Sequence, residues 1–382
     1  MKIFLSFLQS EKNYPIPAYS FWQYYIKNGI EEAGHTWSEC PDADWALGLM
    51  PQTKEEFAKW KEQTWSKTVT WLKKNPADIF LSYLYPDQVD TSAIKEIQKL
   101  GIPCVNFFCD NVREIKKIPF EFGAFNYNWV PEHKALSLYA GAGYPFIHLP
   151  MPMWVAQEYR ILKDESNSQV TFIGSKDMQR ILLLEELVKL DPEVPLAVYG
   201  NGWKAQDIPK YINATPYTLQ DKIKFNLKYV RDEGLMSFVR KIRYRGLNYN
   251  TSPALSAKTY PSPSFELYNN LLAESMISLG INRYESFDFP LLKPNSYSRL
   301  RDIEAPMLGA CYLTEYTEGI EELYDTGKEV MVYHNTEELL NKIRELQADP
   351  HKRKQLKING QKRALQDHSI PNSLQKIISM LR

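Results

Sequence analysis

Cysteine is scarce: Cys40, Cys104, Cys109 and Cys311 are the only four in 382 residues. They form no C-x-x-C pair and have no histidine cluster nearby at zinc spacing, so neither a disulfide framework nor a metal site is indicated. Buried thiols are the expected state. Net charge is also missing, because 46 Lys and Arg balance 46 Asp and Glu. Bulk electrostatics therefore predict no general attraction to nucleic acid or membrane, and any such affinity has to be local. No run reaches the roughly 18 uninterrupted apolar residues of a membrane span. The start, MKIFLSFLQSEKNYP, lacks the long apolar run and small-residue cleavage site of a secretory signal, so a soluble chain with a cytoplasmic address is expected. Solenoid-period repeats and low-complexity tracts are absent too.

What is present suits packed cores. Hydrophobic residues make up 44% and aromatics 13%, and a chain of this length divides into two domains of ordinary size. In the first part strand-like and helix-like runs alternate in the βα manner that builds a parallel sheet. Ile3 to Phe7 reads as a strand, and Phe21, Trp22, Tyr25, Ile26 and Ala33 recur at helical spacing up to a stop at Gly34. IFLSYL (79–84) and IPCVNFF (102–108) read as strands flanking a helix from Thr91 to Leu100. Pro131 suits the first turn of a helix that runs through Leu136 and Tyr139 and stops at Gly141 before FIHL. Residues 150–168, with two prolines and then DESNSQ, read as a linker.

The second half repeats the theme. Val170 to Ile173 runs into GSK, and Leu196 to Tyr199 runs into GNGW. Ligand crevices of parallel sheets lie at the carboxyl ends of the strands, so Gly174, Ser175, Gly200 and Asn201 are expected to line one cleft, small enough for a ligand to approach the backbone. Helices from Leu267 and Thr336, and strands at Ile277 to Ile281 and Glu329 to Tyr333, complete the pattern around RLRDIEAPMLGACYLTE (299–315), which reads as a short helix, a stop at Gly309 and a strand. Pro306 should kink that helix.

RLRDIEAPMLGACYLTE, followed by GIEELYDTGKEVMVY and NTEELLNKI, resembles the C-terminal half of glycosyltransferases of the GT-B fold. It is closest to the spore-maturation-protein-like (CgeB-like) group within the glycosyl transferases group 1 family. TFIGS with Arg180, and VYGNGW, resemble the start of the donor domain of the same group, so the likeness spans roughly 170–370 without the insertion. The resemblance implies an α/β architecture of two Rossmann-like domains facing across a cleft. An acceptor domain would occupy 1–155 and a nucleotide-sugar domain 166–370, with a basic helical insertion at 204–260 and a last helix at 371–382 packing back on the first domain. It further implies transfer of a hexosyl or related sugar from a nucleotide-sugar donor to a glycan, lipid-linked or other hydroxyl acceptor, without a metal or other cofactor.

Within that frame a carboxylate that accepts two hydroxyl hydrogen bonds suits a ribose diol, while helix amides and arginines suit a diphosphate. Glu304, with Arg299 or Arg301, would take those parts, and Gly174, Ser175, Arg180, Gly200, Asn201 and Asn282 would complete the donor site. The plainer alternative is a solvated Arg301–Glu304 pair across one helical turn. Departure of the nucleoside diphosphate needs fixed positive or N–H donors, for which Ser175, Arg180, Arg299 and Arg301 are the candidates. The acceptor's base is expected on the other domain: Asp110 first, just past IPCVNFF, and His133 second. Retaining relatives of family 4 carry a glutamate seven residues before Glu304; here that position is Tyr297, which leaves retention and inversion open. A nucleotide-sugar epimerase or hydrolase of the same fold, or a non-catalytic sugar- or nucleotide-binding scaffold, are the alternatives.

DAD (42–44) reads as a solvated turn, and AGAG (140–143) follows a helix, which makes it a helix stop rather than a dinucleotide fingerprint. Residues 204–258 hold eleven Lys or Arg against four Asp or Glu. With Ile223, Leu227, Val230, Leu235, Phe238, Val239 and Ile242 at helical spacing, they read either as an amphipathic pair packed on the domain or as a peripheral membrane contact for a lipid-linked acceptor. No groove-reading motif accompanies the charge, so nucleic acid is not an expected partner.

Overall fold

The computed structural model describes residues 1–12, 14, 18–204, 226–227, 230, 235–244, 251–286, 291 and 294–382. Most of the basic insertion lies outside the described residues. Its described helix, Leu235–Tyr244, exposes Leu235, Met236, Val239 and Ile242.

Among the described residues, two six-stranded sheets organise the fold. The first contains β1 (Lys2–Ser6), β2 (Thr36–Ser38), β3 (Ile79–Tyr83), β4 (Cys104–Phe107), β5 (Tyr127–Val130) and β6 (Phe146–His148), in the order β2-β1-β3-β4-β5-β6. The second contains β7 (Asn167–Ile173), β8 (Leu196–Tyr199), β9 (Thr259–Tyr260), β10 (Ser275–Gly280), β11 (Tyr312–Glu315) and β12 (Met331–Tyr333), in the order β12-β11-β10-β7-β8-β9. All pairings are parallel, with Ile3 beside Ile79 in one sheet and Val170 beside Leu196 in the other. Central strands such as β3 and β10 are buried along their whole length, as expected of a parallel sheet covered by helices on both faces.

Local chemistry sets the helix ends. Thr53 and Glu56 form a capping box that starts Lys54–Lys74, a helix for which the sequence pattern alone gave no expectation. Asp90, Asp177, Ser264 and Asn335 cap the helices that follow them by accepting backbone N–H bonds. Several expected boundaries move, among them both ends of the helix after β5. The helix after β5 spans His133–Ala142 and ends at Gly143 (φ 69°), not Gly141. Pro131 is not in its first turn, because Glu132, the N-cap, turns its carboxylate inward to the amides of Asn111 and Val112.

The helix Leu300–Met307 contains Pro306, whose missing N–H would leave the Asp302 carbonyl without a partner. The Tyr324 hydroxyl donates to that carbonyl at 2.7 Å, so the proline is accommodated. Gly309 (φ 74°) then closes the helix, with Ala310 N–H on the Ala305 carbonyl at 3.1 Å, and the chain enters β11.

Both halves are joined beyond the 150–168 connection. Met153 pairs with Ser369, and the last helix, Ile370–Leu381, lies against helix Ala18–Glu32 of the first half. Gly29 makes room there: a Cβ on it would stand 2.6 Å from the Ile370 side chain. The core under the first sheet continues through this helix into Ile303, Ala305 and Met307. All four cysteines are buried and free, and among the described residues no helix is long and apolar enough to cross a membrane.

Candidate functional site

A cavity of about 310 Å³ opens where the carboxyl ends of the two sheets face each other. Trp22 and the segment Cys109–Asp110 after β4 line it from the first half. The second half supplies Arg180, Tyr268, Asn282, Glu285, Tyr297, Arg299, Arg301 and Glu304.

Its floor is set by a residue that the sequence reading missed. Asp302 is fully buried and accepts hydrogen bonds from the Arg299 N–H (3.0 Å), the Asn282 side-chain amide (3.0 Å) and the hydroxyls of Tyr312 and Thr314 (2.9 Å each). Burial raises its carboxyl above the usual range, against the pull of these donors. As the third residue of its helix, Asp302 sits where an acidic side chain reaches back to the N-cap amide, which was the available signal. The amide of Asn282 is thereby taken up by the protein, and the next residue, Arg283, pairs with Glu315 at 2.5 Å. These bonds fix the β10 and β11 ends relative to the helix that carries Arg299, Arg301 and Glu304.

Three arginines face this space. Arg299 donates to Glu285 at 2.7 Å, and its guanidinium lies 4.9 Å from the Tyr297 ring centre. Arg180 pairs with Asp177 at 3.1 Å and donates to the Ser175 carbonyl at 2.6 Å. Burial pulls its pKa down to about 10, with Arg299 and Arg301 pushing the same way and Asp177 opposing. Arg301 lies over the Tyr268 ring at 5.5 Å, and among the described residues no carboxylate stands within ion-pair distance of it. The Nε atoms of Arg299 and Arg301 are buried without a hydrogen-bond partner among the described residues. Mutually repelling, under-satisfied guanidinium groups in a cleft are a ready receptor for a polyanion.

Glu304 is 4% exposed and binds neither arginine directly. One carboxylate oxygen accepts from the Tyr25 hydroxyl of the first half at 2.5 Å, and the other accepts from the Tyr268 hydroxyl. Burial raises its carboxyl above the usual range, with both tyrosines and Arg301 acting the other way. The solvated Arg301–Glu304 pair is therefore not what forms. Both tyrosines escaped the sequence reading.

Across the cavity, the Asp110 carboxylate accepts from Tyr85 at 3.0 Å and lies 3.5 Å from the Tyr83 hydroxyl. Behind it, Glu132 accepts from Asn111 N–H at 2.8 Å and Val112 N–H at 3.2 Å, which anchors the turn that presents Asp110. Burial pushes the Glu132 carboxyl up to about 8, with those two donors opposing.

The structure thus gathers Asp110, Arg180, Asn282, Arg299, Arg301 and Glu304 around one cavity. Gly174, Ser175, Gly200 and Asn201 do not line it. Their two turns pack on each other instead: a Cβ on Gly200 (φ 143°) would stand 2.2 Å from the Gly174 carbonyl, and Lys176 N–H donates to Asn201 at 2.8 Å. The small residues serve that contact, and Ser175 reaches the cavity only through its carbonyl on Arg180. His133 also stands outside the cavity, beside Glu322 of the second half.

Residues 264–379 match the family described as glycosyl transferase-like. No curated protein matches the chain. Among solved structures, a glycosyltransferase from Rickettsia africae aligns over 100% of this chain and 97% of its own, with a TM-score of 0.59 and 12% identity. Sucrose-phosphate synthase from Thermosynechococcus elongatus aligns over 100% and 98%, with a TM-score of 0.58 and 9% identity. HepE of Anabaena, in complex with UDP-glucose, aligns over 100% and 98%, with a TM-score of 0.56 and 14% identity. The architecture is the GT-B fold of two α/β domains facing across a cleft. The narrower CgeB-like grouping is not distinguished by these likenesses.

Proposed function

We propose that the chain is a glycosyltransferase that moves a sugar from a nucleoside-diphosphate donor, held by the second half, to a hydroxyl acceptor held against the first. One observation carries the reading: three arginines and a buried glutamate from one half meet a single carboxylate, Asp110, from the other across a cavity of about 310 Å³. The match of residues 264–379 to a glycosyl transferase-like family supports it. So does the bound UDP-glucose of HepE, a protein of the same fold.

In this mechanism Arg180, Arg299 and Arg301 meet the diphosphate. Their charge is pre-placed in a low-dielectric cleft, so they stabilise the leaving group as negative charge develops on it, with little reorganisation. Arg301 does most of this, because it has no carboxylate to leave. Glu304 accepts the ribose hydroxyls once Tyr25 gives way. Asp110 takes the proton of the acceptor hydroxyl as that oxygen bonds to the anomeric carbon and the diphosphate departs. Tyr85, hydrogen-bonded to Asp110, orients the carboxylate. With the leaving-group charge met by guanidinium groups, the chemical step is proposed to need no metal.

The test is release of nucleoside diphosphate from a panel of nucleotide sugars, with and without candidate glycan and lipid-linked acceptors, and detection of the glycosylated product by mass spectrometry. Acceptor-dependent product that Asp110→Asn abolishes is the expected result. Nucleotide release without any transferred sugar would replace this reading with a hydrolase of the same fold.

A further inference from the structure

The carboxyl-end rim of the first sheet carries a second cluster of chemistry, separate from the cavity. His133 opens the helix after β5, His148 ends β6, and Glu322 lies on the short helix Ile320–Leu323 of the second half. One ligand-type atom from each lies within 4.8 Å of the other two. His133 Nδ1 is 3.1 Å from Glu322 Oε1, and His148 Nε2 is 3.5 Å from Glu322 Oε2. Donor atoms around a tetrahedral zinc, each about 2.0–2.1 Å from the metal, stand roughly 3.3 Å apart.

From this geometry we infer that the three side chains form a divalent-cation site of the zinc class, which straps the two halves of the molecule together across the mouth of the cleft.

An outer hydrogen bond fixes the tautomer of His148. His148 Nδ1–H donates to the Val130 carbonyl at 2.9 Å, which turns the Nε2 lone pair towards Glu322. On the far side of the His133 ring, Nε2 lies 3.9 Å from the Glu318 carboxylate, beyond hydrogen-bond reach, while Nδ1 lies 3.1 Å from Glu322. A backbone carbonyl that accepts from the second ring nitrogen, as Val130 does from His148, is a supporting contact that metal-bound histidines use. His133 Nδ1 is buried and makes no aligned hydrogen bond among the described residues, its neighbour being the Glu322 carboxylate at 3.1 Å. Imidazole lone pairs turned towards one carboxylate repel it, and a metal ion placed between them would offset that repulsion.

Backbone conformation brings the partners together. Gly319 (φ 89°) packs directly on His133, and a Cβ there would stand 2.5 Å from the His133 Cβ. Any other residue would push Glu322 away from the histidines. Two imidazoles and one carboxylate suit zinc, and Glu322 is 53% exposed in its side chain, so water completes the fourth position. The ligands share no residue with the cavity, so the site is structural: it ties the β5 and β6 ends to the second half and limits how far the cleft opens.

The test uses the full chain, stripped with a chelator and dialysed, then titrated with Zn²⁺ against a chromophoric competitor. Wild type is expected to hold one ion that His133→Ala, His148→Ala and Glu322→Gln each weaken by more than the roughly 10- to 100-fold that loss of a mere supporting partner causes. Zn²⁺ is expected to raise the melting temperature of wild type but not of the variants, whose folding is checked by circular dichroism. Co²⁺ substitution should give the intense visible bands of a four- or five-coordinate site. Equal Zn²⁺ affinity in wild type and the His133→Ala/His148→Ala double variant, or a six-coordinate Co²⁺ spectrum, would overturn the proposal. Glycosyl transfer is read separately, so failure of one proposal leaves the other standing.

Discussion

Tyr25→Phe separates two roles for Glu304. In the free protein the Tyr25 hydroxyl donates across the cleft to Glu304 at 2.5 Å, and the Tyr268 hydroxyl occupies the other oxygen. A hydrogen bond to a charged group contributes about 1.5–3 kcal/mol. Its loss in Tyr25→Phe, a swap that preserves the ring in its buried position, should lower the melting temperature of the ligand-free chain by a few degrees. Binding of UDP should change in the opposite sense. If the ribose hydroxyls take the place of Tyr25 on Glu304, wild type must break that bond before it binds, whereas the variant has nothing to break. At about 1.4 kcal/mol per tenfold, the limit of the gain is roughly 10- to 150-fold in affinity, and water that replaces the hydroxyl in the free variant keeps the change near the lower end. Isothermal titration calorimetry with UDP, beside thermal melts without it, gives both readouts. Stability down with affinity up is the expected pair. Affinity that is unchanged or weaker in Tyr25→Phe, with Glu304→Gln equally indifferent to UDP, would refute the reasoning and make Glu304 a strut between the halves rather than a ribose acceptor.

Other perturbations reach different parts of the same argument. Arg301→Ala should weaken UDP binding by roughly 10- to 150-fold at low salt and less at high salt, and Arg301→Lys should restore only part of it, because a point charge does not reproduce the guanidinium fork. Asp110→Asn should lower the rate of transfer by roughly 10²- to 10⁴-fold while calorimetry shows UDP affinity intact. Glu132 has its carboxyl raised from 4.5 to about 8 by burial. The proton is therefore held more tightly folded than unfolded, so the stability it contributes is complete below about pH 4.5 and is lost as pH rises through about 8, at about 1.4 kcal/mol per unit. Urea midpoints across that window should fall in wild type and stay flatter in Glu132→Gln. Gly200→Ala, at φ 143° with a backbone carbonyl 2.2 Å from the new Cβ, should cost at least about 2 kcal/mol by chemical denaturation.

Which of these groups could be read from the sequence follows from how far apart their partners lie along the chain. Strands β3, β4, β7 and β10 were legible because parallel strands covered on both faces are short, mainly apolar runs, and glycine or proline lies close to these. The helix Lys54–Lys74 was not, since its buried face is built from Trp60, Thr64, Trp65, Thr68 and Val69 among lysines and glutamates, an apolar stripe diluted by threonine. The Gly141 boundary failed because either glycine of AGAG can end a helix. Only the fold places Gly143 on the left-handed turn.

The same logic divides the candidate site. Arg299, Arg301 and Glu304 lie within six residues of one another on one helix start, so order along the chain was enough to single them out. Asp302 lay among them unread, since its role depends on Asn282, Tyr312 and Thr314 converging from two strand ends. Tyr25 is 279 residues from Glu304, and Glu322 lies farther along the chain from His133 and His148 than any local zinc spacing allows. What the sequence hid is which polar side chains meet from one half to the other. Those contacts give the cleft its working parts: Tyr25 on Glu304 at its centre and Glu322 between two histidines at its rim. Each is a polar bond between bodies that a ligand must part or draw together. The two proposals together predict a coupling: if a cation holds the rim closed and so favours the arrangement in which Tyr25 reaches Glu304, and if UDP displaces Tyr25, UDP should bind that locked form less tightly than the metal-free one. By linkage the same factor must appear in both directions, as UDP weakening Zn²⁺ to the extent that Zn²⁺ weakens UDP.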